Sequence, residues 1–333
     1  IIGIFKKNAT LYYDDKIIKG DSLYFESERN YAAATKNVSI FDSLNNSIIT
    51  GHYGEIFKAK DSAIITRRAM AINIVDNDSL FIHADTLVAT GPEDKRILRG
   101  YYDVRILKSD IRGRSDSIYL DESIGLTKLL NKPLTKKQEQ VFTEADRNAS
   151  NPVLWFGESQ MTGNKIFLLS DLETKKLDSI KITGNVFIIE KDTLSSDGFQ
   201  QIKGGLLDGA FENGKLDNIV ITKNTEMVYY LYNDEDLQLI GIDKTTCSAL
   251  KMNFVEGQID DITFLVSPIG DVYPEDEIPL NDRTLKGFIW RIKERPETVE
   301  DLFDKNDEAD QFPEILKFQF PEESEKKESE KKS

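Results

Sequence analysis

Cysteine, histidine, basic surplus and long apolar runs are all scarce in this chain of 333 residues. The single cysteine, Cys247, rules out an internal disulfide, and two histidines cannot complete a Cys/His set for structural zinc. Cys247 has no basic neighbour closer than Lys244, which points to an unreactive, half-buried thiol. Lys and Arg number 43 against 58 Asp and Glu, a formal net charge of -15. Such a balance excludes the clustered cations that track a phosphate backbone, so no nucleic-acid partner is expected. No apolar run approaches the ~18 residues needed to span a bilayer, so no transmembrane segment is expected. Only Trp155 and Trp290 carry indoles, and the Gly-His and Trp-Asp signatures of propeller blades are missing. The opening Ile1-Ile2-Gly3-Ile4-Phe5 has no Met, charged leader or cleavage site. It reads as a fragment or a processed chain whose targeting signal lies elsewhere.

What is present is alternation. Leu23-Tyr24-Phe25, Val38-Ser39-Ile40, Ile180-Lys181-Ile182 and Ile262-Thr263-Phe264 are short period-2 runs rich in β-branched and aromatic residues. That is the pattern of half-buried strands. Turn pairs such as Asn45-Asn46, Asn213-Gly214 and Glu256-Gly257 separate them, and Asn213-Gly214 suits a tight hairpin because both residues tolerate φ > 0. Long helix-period segments are absent, so the fold class is all-β.

A strand opening of Asp, a small polar or acidic residue and an apolar one recurs. It stands at Asp21-Ser22-Leu23, Asp61-Ser62-Ala63, Asp78-Ser79-Leu80, Asp116-Ser117-Ile118, Asp178-Ser179-Ile180, Asp217-Asn218-Ile219 and Asp260-Asp261-Ile262. Repeated strand-turn-strand units of this kind imply stacked supersecondary structure around one continuous core. The widest gap, between Asp116 and Asp178, holds a segment that looks inserted. There Thr135-Lys136-Lys137-Gln138 fits a capping box, with Leu134, Val141 and Ala145 on one helical face. The expected organisation is a β-rich half over 1–130, an inserted helix or loop over 131–152, a second β-rich half over 153–296, and an acidic tail over 297–333. Glu297 to Glu314 carries eight acidic residues and one Lys, and the last twelve residues are only Glu, Lys and Ser. A tail of that composition cannot offset chain entropy and should be disordered. Glu297 to Asp304 could add a helical turn capped by Thr298.

Candidate chemistry is sparse. Paired carboxylates serve glycosidases, but an aspartate repeated at strand openings is explained by turn chemistry. His52 and His83 have no nucleophile elbow or metal-binding pair around them and read as surface or satisfied side chains. Gly198 and Gly204-Gly205 are not followed by a helix that could bind phosphate. Asn8-Ala9-Thr10, Asn37-Val38-Ser39 and Asn148-Ala149-Ser150 match the glycosylation triplet. No active site, metal or cofactor is expected, and the chain reads as a non-enzyme.

The remaining candidate is the inner face. Its stripe in the first half holds Leu23, Phe25, Val38, Ile40, Ile65, Leu80, Ile82, Ile118 and Leu120. In the second half it holds Ile180, Ile182, Val186, Ile188, Ile219, Ile221, Ile262 and Phe264. The same alternation suits a closed sandwich core and an open sheet whose apolar lining holds lipid chains.

Several segments carry a resemblance. They are Gly20-Asp21-Ser22-Leu23-Tyr24-Phe25, Ala32-Ala33-Ala34-Thr35-Lys36-Asn37-Val38-Ser39-Ile40-Phe41-Asp42 and Ile48-Ile49-Thr50-Gly51, echoed by Gly184-Asn185-Val186-Phe187-Ile188. Together they resemble the unit of OstA-like proteins: the LptA-type lipopolysaccharide-transport proteins and the N-terminal domain of LptD. Pro152-Val153-Leu154-Trp155, Gln200-Gln201-Ile202-Lys203-Gly204 and Leu285-Lys286-Gly287-Phe288-Ile289-Trp290 resemble the longer Bacteroidetes-type variant. The resemblance covers most of residues 8–296. It implies a twisted open β-jellyroll in two consecutive halves and a periplasmic location. It also implies lipopolysaccharide as cargo, with the lipid A acyl chains against the inner stripe. Partner β-jellyrolls would join by edge-strand pairing, through the strand around Ile2 to Tyr13 and the short strand Phe288-Ile289-Trp290. The alternative is a carbohydrate-binding or adhesin-type β-repeat module, with Tyr12, Tyr13, Tyr229, Tyr230 and Tyr232 as aromatic platforms.

Overall fold

The computed structural model describes residues 2–303 apart from 14–15, 44–45, 76–77, 93–94, 234 and 256–257. Ile1–Leu302 forms one compact unit. The expected disorder of the tail beyond 303 lies outside the described residues, as do Asn45 and the Glu256-Gly257 turn.

Alternation builds strands, as the all-β expectation requires. Among the described residues eighteen antiparallel strands make one sheet. The first nine form a meander in which each pairs with the next: β1 (Ile2–Tyr13), β2 (Lys16–Glu26), β3 (Tyr31–Asp42), β4 (Ser47–Phe57), β5 (Ser62–Val75), β6 (Asp78–Thr90), β7 (Ile97–Leu107), β8 (Ile111–Asp121) and β9 (Leu126–Leu130). Two short helices follow, α1 (Lys136–Val141) and α2 (Glu144–Ser150). Then come β10 (Val153–Phe156), β11 (Ser159–Thr162), β12 (Lys165–Ser170), β13 (Leu177–Lys191), β14 (Phe199–Glu212), β15 (Lys215–Tyr232), β16 (Leu239–Val255), β17 (Gln258–Val266) and β18 (Ile269–Tyr273). Asn213 and Gly214, with φ of 53° and 84°, close the tight β14–β15 hairpin. Thr135 caps α1 through the capping box, but the helix stops at Phe142 because Thr143 opens a second box with Asp146. Val141 is therefore exposed instead of facing a continuous helical stripe.

Most long strands turn a corner near their middle. On alternate strands two successive residues take the left-handed conformation: Lys7-Asn8, Lys36-Asn37, Arg67-Arg68, Tyr102-Asp103, Gly184-Asn185 and Lys223-Asn224. The pairing register shifts at these places, for instance between Thr35 and Val38 and between Thr183 and Val186. Asn and Gly reach positive φ at least cost, and a bulge bends its strand. Inward residues before and after each corner meet in one core: Ala34 with Val38 and Ile40, Ile65 with Ala69, Ile180 and Ile182 with Val186 and Ile188. Fully burying each Ile or Leu there contributes ~1.5–3 kcal/mol. Gly54 makes room at the bend, since a Cβ on it would stand 2.7 Å from Ile65 Cδ1.

The corners correct the reading of the aspartate repeat. Asp61, Asp78, Asp178, Asp217 and Asp260 do lie at or beside strand beginnings, but Asp21 and Asp116 stand mid-strand, next to register shifts. Turn chemistry serves corners and hairpins alike, so one sequence signal marks both.

Between the halves the sheet closes on itself. Ile111 to Arg114 of β8 pair with β10, while Ser117 to Asp121 pair with β9. β13 likewise meets β12 before its corner and β11 after it. With β9–β12 and β10–β11 pairing, the result is a ring of six strands.

The C-terminal segment corrects another expectation. Phe288-Ile289-Trp290 is not a strand but part of an irregular strap on the outer face of the second half. Phe288 packs edge-on against Phe187 and Phe199, and Trp290 lies 5.4 Å from Phe199. Two fully buried amides hold the strap. Gln160 donates to Ile289 O at 2.8 Å and accepts from Arg291 N at 2.7 Å; Gln201 donates to Arg283 O at 2.8 Å and accepts from Leu285 N at 2.9 Å. These bonds engage Arg283 O, Leu285 N, Ile289 O and Arg291 N, which are therefore not free for a ladder. Packing continues to the 3-10 turn Glu300–Leu302, where the Asp301 carboxylate accepts from Thr298 and Leu302 is fully buried.

Candidate functional site

The inner stripe is the candidate site. Leu23, Val38, Ile40, Ile65, Ile82, Ile118, Ile180, Ile182, Val186, Ile188, Ile219 and Ile221 are buried in one apolar cluster that runs through both halves. Leu80, Leu120, Ile262 and Phe264 are partly buried against it, while Phe25 is half-buried outside it.

The core is not filled uniformly. A cavity of about 190 Å³ opens among Ile18, Ile40, Ile49, Ile56, Ala63 and Ala89. A second, of about 50 Å³, is lined by Ala71, Leu80, Ile82, Leu98 and Leu120. The two share Asp42, Ser47, Ile49, Ala89 and Arg96, so they form one trough along the inner face of β2–β8. Ile40, Leu80, Ile82 and Leu120 of the expected stripe line it. Ile18, Ile49, Ile56, Ala63, Ala71, Ala89 and Leu98 were missed. A corner between Lys19 and Ser22 flips the alternation that links Ile18 to Leu23, and alanine carries little apolar signal.

Charged side chains also line the trough. Arg96 Nη2 is 3.6 Å from Asp42 Oδ2, with both side chains largely buried. Burial pushes the neighbouring Glu122 carboxyl above its ordinary pKa, while Arg96 and Lys175 pull against it. Lys16, Lys58 and Asp61 also line the larger of the two cavities. The trough thus combines apolar walls with a few charged lining residues.

A polar cavity of about 270 Å³ lies elsewhere, lined by Asn148 and Asn185, by the corner residues Lys223 and Asn224, and by strap residues including Lys286. Its cations are partly spent: Lys203 pairs with Glu226 at 2.8 Å and Lys286 with Glu144 at 3.0 Å.

The tyrosines expected as carbohydrate platforms do not share a surface. Tyr12 is exposed on β1, Tyr229 packs against the inner cluster, and Tyr230 and Tyr232 lie in the outer cluster with the strap. The side chain of Tyr13 lies outside the described residues. His83 is buried and donates from Nδ1 to Ala69 O at 2.7 Å. The Nδ1 of His52 accepts from Asn37 N at 3.4 Å. Cys247 is buried, and burial raises its thiol pKa. Among the described residues no helix is long and apolar enough to cross a membrane.

Two sheet edges face no neighbouring strand among the described residues. β1 pairs with β2 alone, leaving Ile4 63% and Tyr12 76% exposed. At the other end β17 and β18 both pair with β16 alone, with Ile269 77% exposed. The far edge is thus β17 and β18, in place of Phe288 to Trp290.

No family model matches the sequence, and no curated protein matches it. Among solved structures, the chain is similar to LptH of Pseudomonas aeruginosa, described as the LptA homologous periplasmic component of the conserved lipopolysaccharide transport device. The identity is 11% and the TM-score 0.32, over 36% of this chain and 85% of that one.

Proposed function

We propose that this chain is a non-catalytic periplasmic lipid-binding protein that shields the acyl chains of lipopolysaccharide during transport to the outer membrane. The observation that carries this is the trough: an alanine- and isoleucine-lined cavity inside a folded sheet, with the charged residues Asp42, Arg96 and Glu122 in its lining. The apolar walls suit acyl chains, and the charged side chains of Asp42, Arg96 and Glu122 offer partners to polar head-group atoms. The unit shared by Gly20 to Phe25 and Ala32 to Asp42 with OstA-like sequences supports lipopolysaccharide as the cargo. The two unpaired edges support joining with other β-jellyrolls by strand addition. Lys6 and Lys7 on β1 and Asp260, Asp261 and Asp271 on β17 and β18 give those edges opposite charge, which favours a head-to-tail arrangement.

Site-specific photo-crosslinking tests the proposal. A photoreactive residue at Ile40 or Ile82 should capture lipopolysaccharide, and one at the outward neighbour Ser39 or at Lys181 should not. Equal capture from both faces would sink the proposal.

A further inference from the structure

The polar cavity of the second half draws on three parts of the fold at once. α2 contributes Glu144 and Asn148, the strap contributes Lys286, and the corners of β13 and β15 contribute Asn185, Lys223 and Asn224. Phe187 and Ile189 of its lining belong to the outer cluster under the strap, and it shares no lining residue with the trough. At about 270 Å³ it falls just below the roughly 300–1,000 Å³ of drug-sized sites, so it suits a small occupant.

The chain has a net charge of -15, yet cations outnumber carboxylates in this lining. Glu226 offsets Lys203, and Arg291 is engaged by Glu294 and Asn151 O. Lys223 is exposed and makes no ion pair among the described residues. Lys286 pairs with Glu144, but the two side chains are 80% and 67% exposed, and a pair so open to water holds weakly. Lys223 and Lys286 are therefore available to an incoming anion.

The neutral lining asks for more than charge. The side-chain amides of Asn148 and Asn224 make no hydrogen bond among the described residues. Gly205, Lys223 and Asn224 are skipped by the strand registers on both sides, which leaves main-chain donors and acceptors outside the ladder. A bare carboxylate or phosphate dianion only accepts. Hydroxyl groups donate and accept, as amides do, and so complement both the asparagines and the corner backbone.

We propose that this cavity binds an anionic sugar, its carboxylate or phosphate on Lys223 and Lys286 and its hydroxyls on Asn148, Asn224 and the corner backbone. The site lies apart from the trough, so it does not depend on the lipid-binding proposal.

Calorimetric titration of the whole chain with glucuronate, glucose 6-phosphate, glucose and inorganic phosphate tests this. At least one of the two sugar anions should bind with a dissociation constant of about a millimolar or below, and glucose and inorganic phosphate about tenfold more weakly or worse. Glucose binding equally well would remove the role of charge, and inorganic phosphate binding equally well would remove the hydroxyls; either result overturns the assignment, as does failure of both sugar anions to bind. Lys223→Glu should weaken the sugar anion about tenfold, whereas Ala89→Leu in the trough should leave it unchanged. Circular dichroism checks the fold of Lys223→Glu; if it is disturbed, Lys286→Glu at the other exposed lysine reads the same effect. Unchanged affinity in a folded lysine variant, or an equal loss in Ala89→Leu, would place the anion elsewhere and overturn the proposal.

Discussion

Across a corner of the first half, the side-chain amide of Asn37 lies 3.3 Å from each oxygen of the Asp21 carboxylate and donates to it. Asn37 has φ of 49° and Asp21 stands where β2 changes register, so the pair ties together two strands at the point where both bend. Asn37→Val should destabilise by about 1–2 kcal/mol, because a β-branched residue resists the left-handed conformation. Asn37→Gly should cost less, since glycine keeps the conformation and loses only the side-chain bond. Urea denaturation midpoints distinguish the two; equal losses would mean that the hydrogen bond, not the backbone, matters.

His83 gives the fold an acid limit. Burial lowers its pKa, the hydrogen bond to Ala69 O opposes that, Arg105 and Arg68 push it lower and Asp103 resists them. The folded state therefore binds the proton more weakly than the unfolded chain does. Stability from this group is complete above the unfolded value near 6.5 and is lost as pH falls through the lower folded value. Thermal melts of the parent and His83→Gln should diverge at pH 7.5 and converge toward pH 5, the parent losing more. Parallel pH curves would remove His83 from this role.

The strap depends on two amides. Gln160→Leu strands Ile289 O and Arg291 N in a buried setting, at roughly 1–3 kcal/mol per stranded group. Arg291 also holds the strap, donating to Asn151 O at 2.6 Å and to Glu294 at 2.7 Å. Limited proteolysis should cut Gln160→Leu within the strap while the parent resists. Uncut strap in the variant would show that the aromatic contacts suffice.

The edges separate from the strap in the same way. Ile4→Pro fixes φ and removes a backbone donor from β1, so it should weaken assembly more than it harms the isolated fold. Phe288→Ala should do the reverse, lowering stability and leaving assembly intact, because Phe288 packs on Phe187 and Phe199. Light scattering after size exclusion, with circular dichroism, reads both. Full assembly by Ile4→Pro would exclude β1 as a joint.

The fold class was legible because period-2 alternation and the Asn213-Gly214 hairpin act locally. The corners were half legible. Lys36-Asn37-Val38 and Gly184-Asn185-Val186 stood out, and so did the glycosylation-like triplets at Asn8 and Asn37, but their cause is left-handed backbone inside one strand. Phe288-Ile289-Trp290 misled because an apolar triplet serves a strand and a covering strap equally. What decides between them is the approach of Gln160 and Gln201, far away in sequence. The trough was hidden because it is made by small residues such as Ala63, Ala71 and Ala89, which an apolar stripe overlooks.

Ala89, 4% exposed, lines both cavities of the trough, so its side chain controls the space in which an acyl chain would lie. Ala89→Leu fills that space with apolar atoms and should keep the melting temperature at or above that of the parent, since a void accepts the added carbons without strain. The measurement is the affinity of the folded variant for purified lipopolysaccharide. A fall of about tenfold or more, roughly 1.4 kcal/mol, is the predicted result; unchanged affinity in a folded Ala89→Leu chain would contradict a lipid site in the trough.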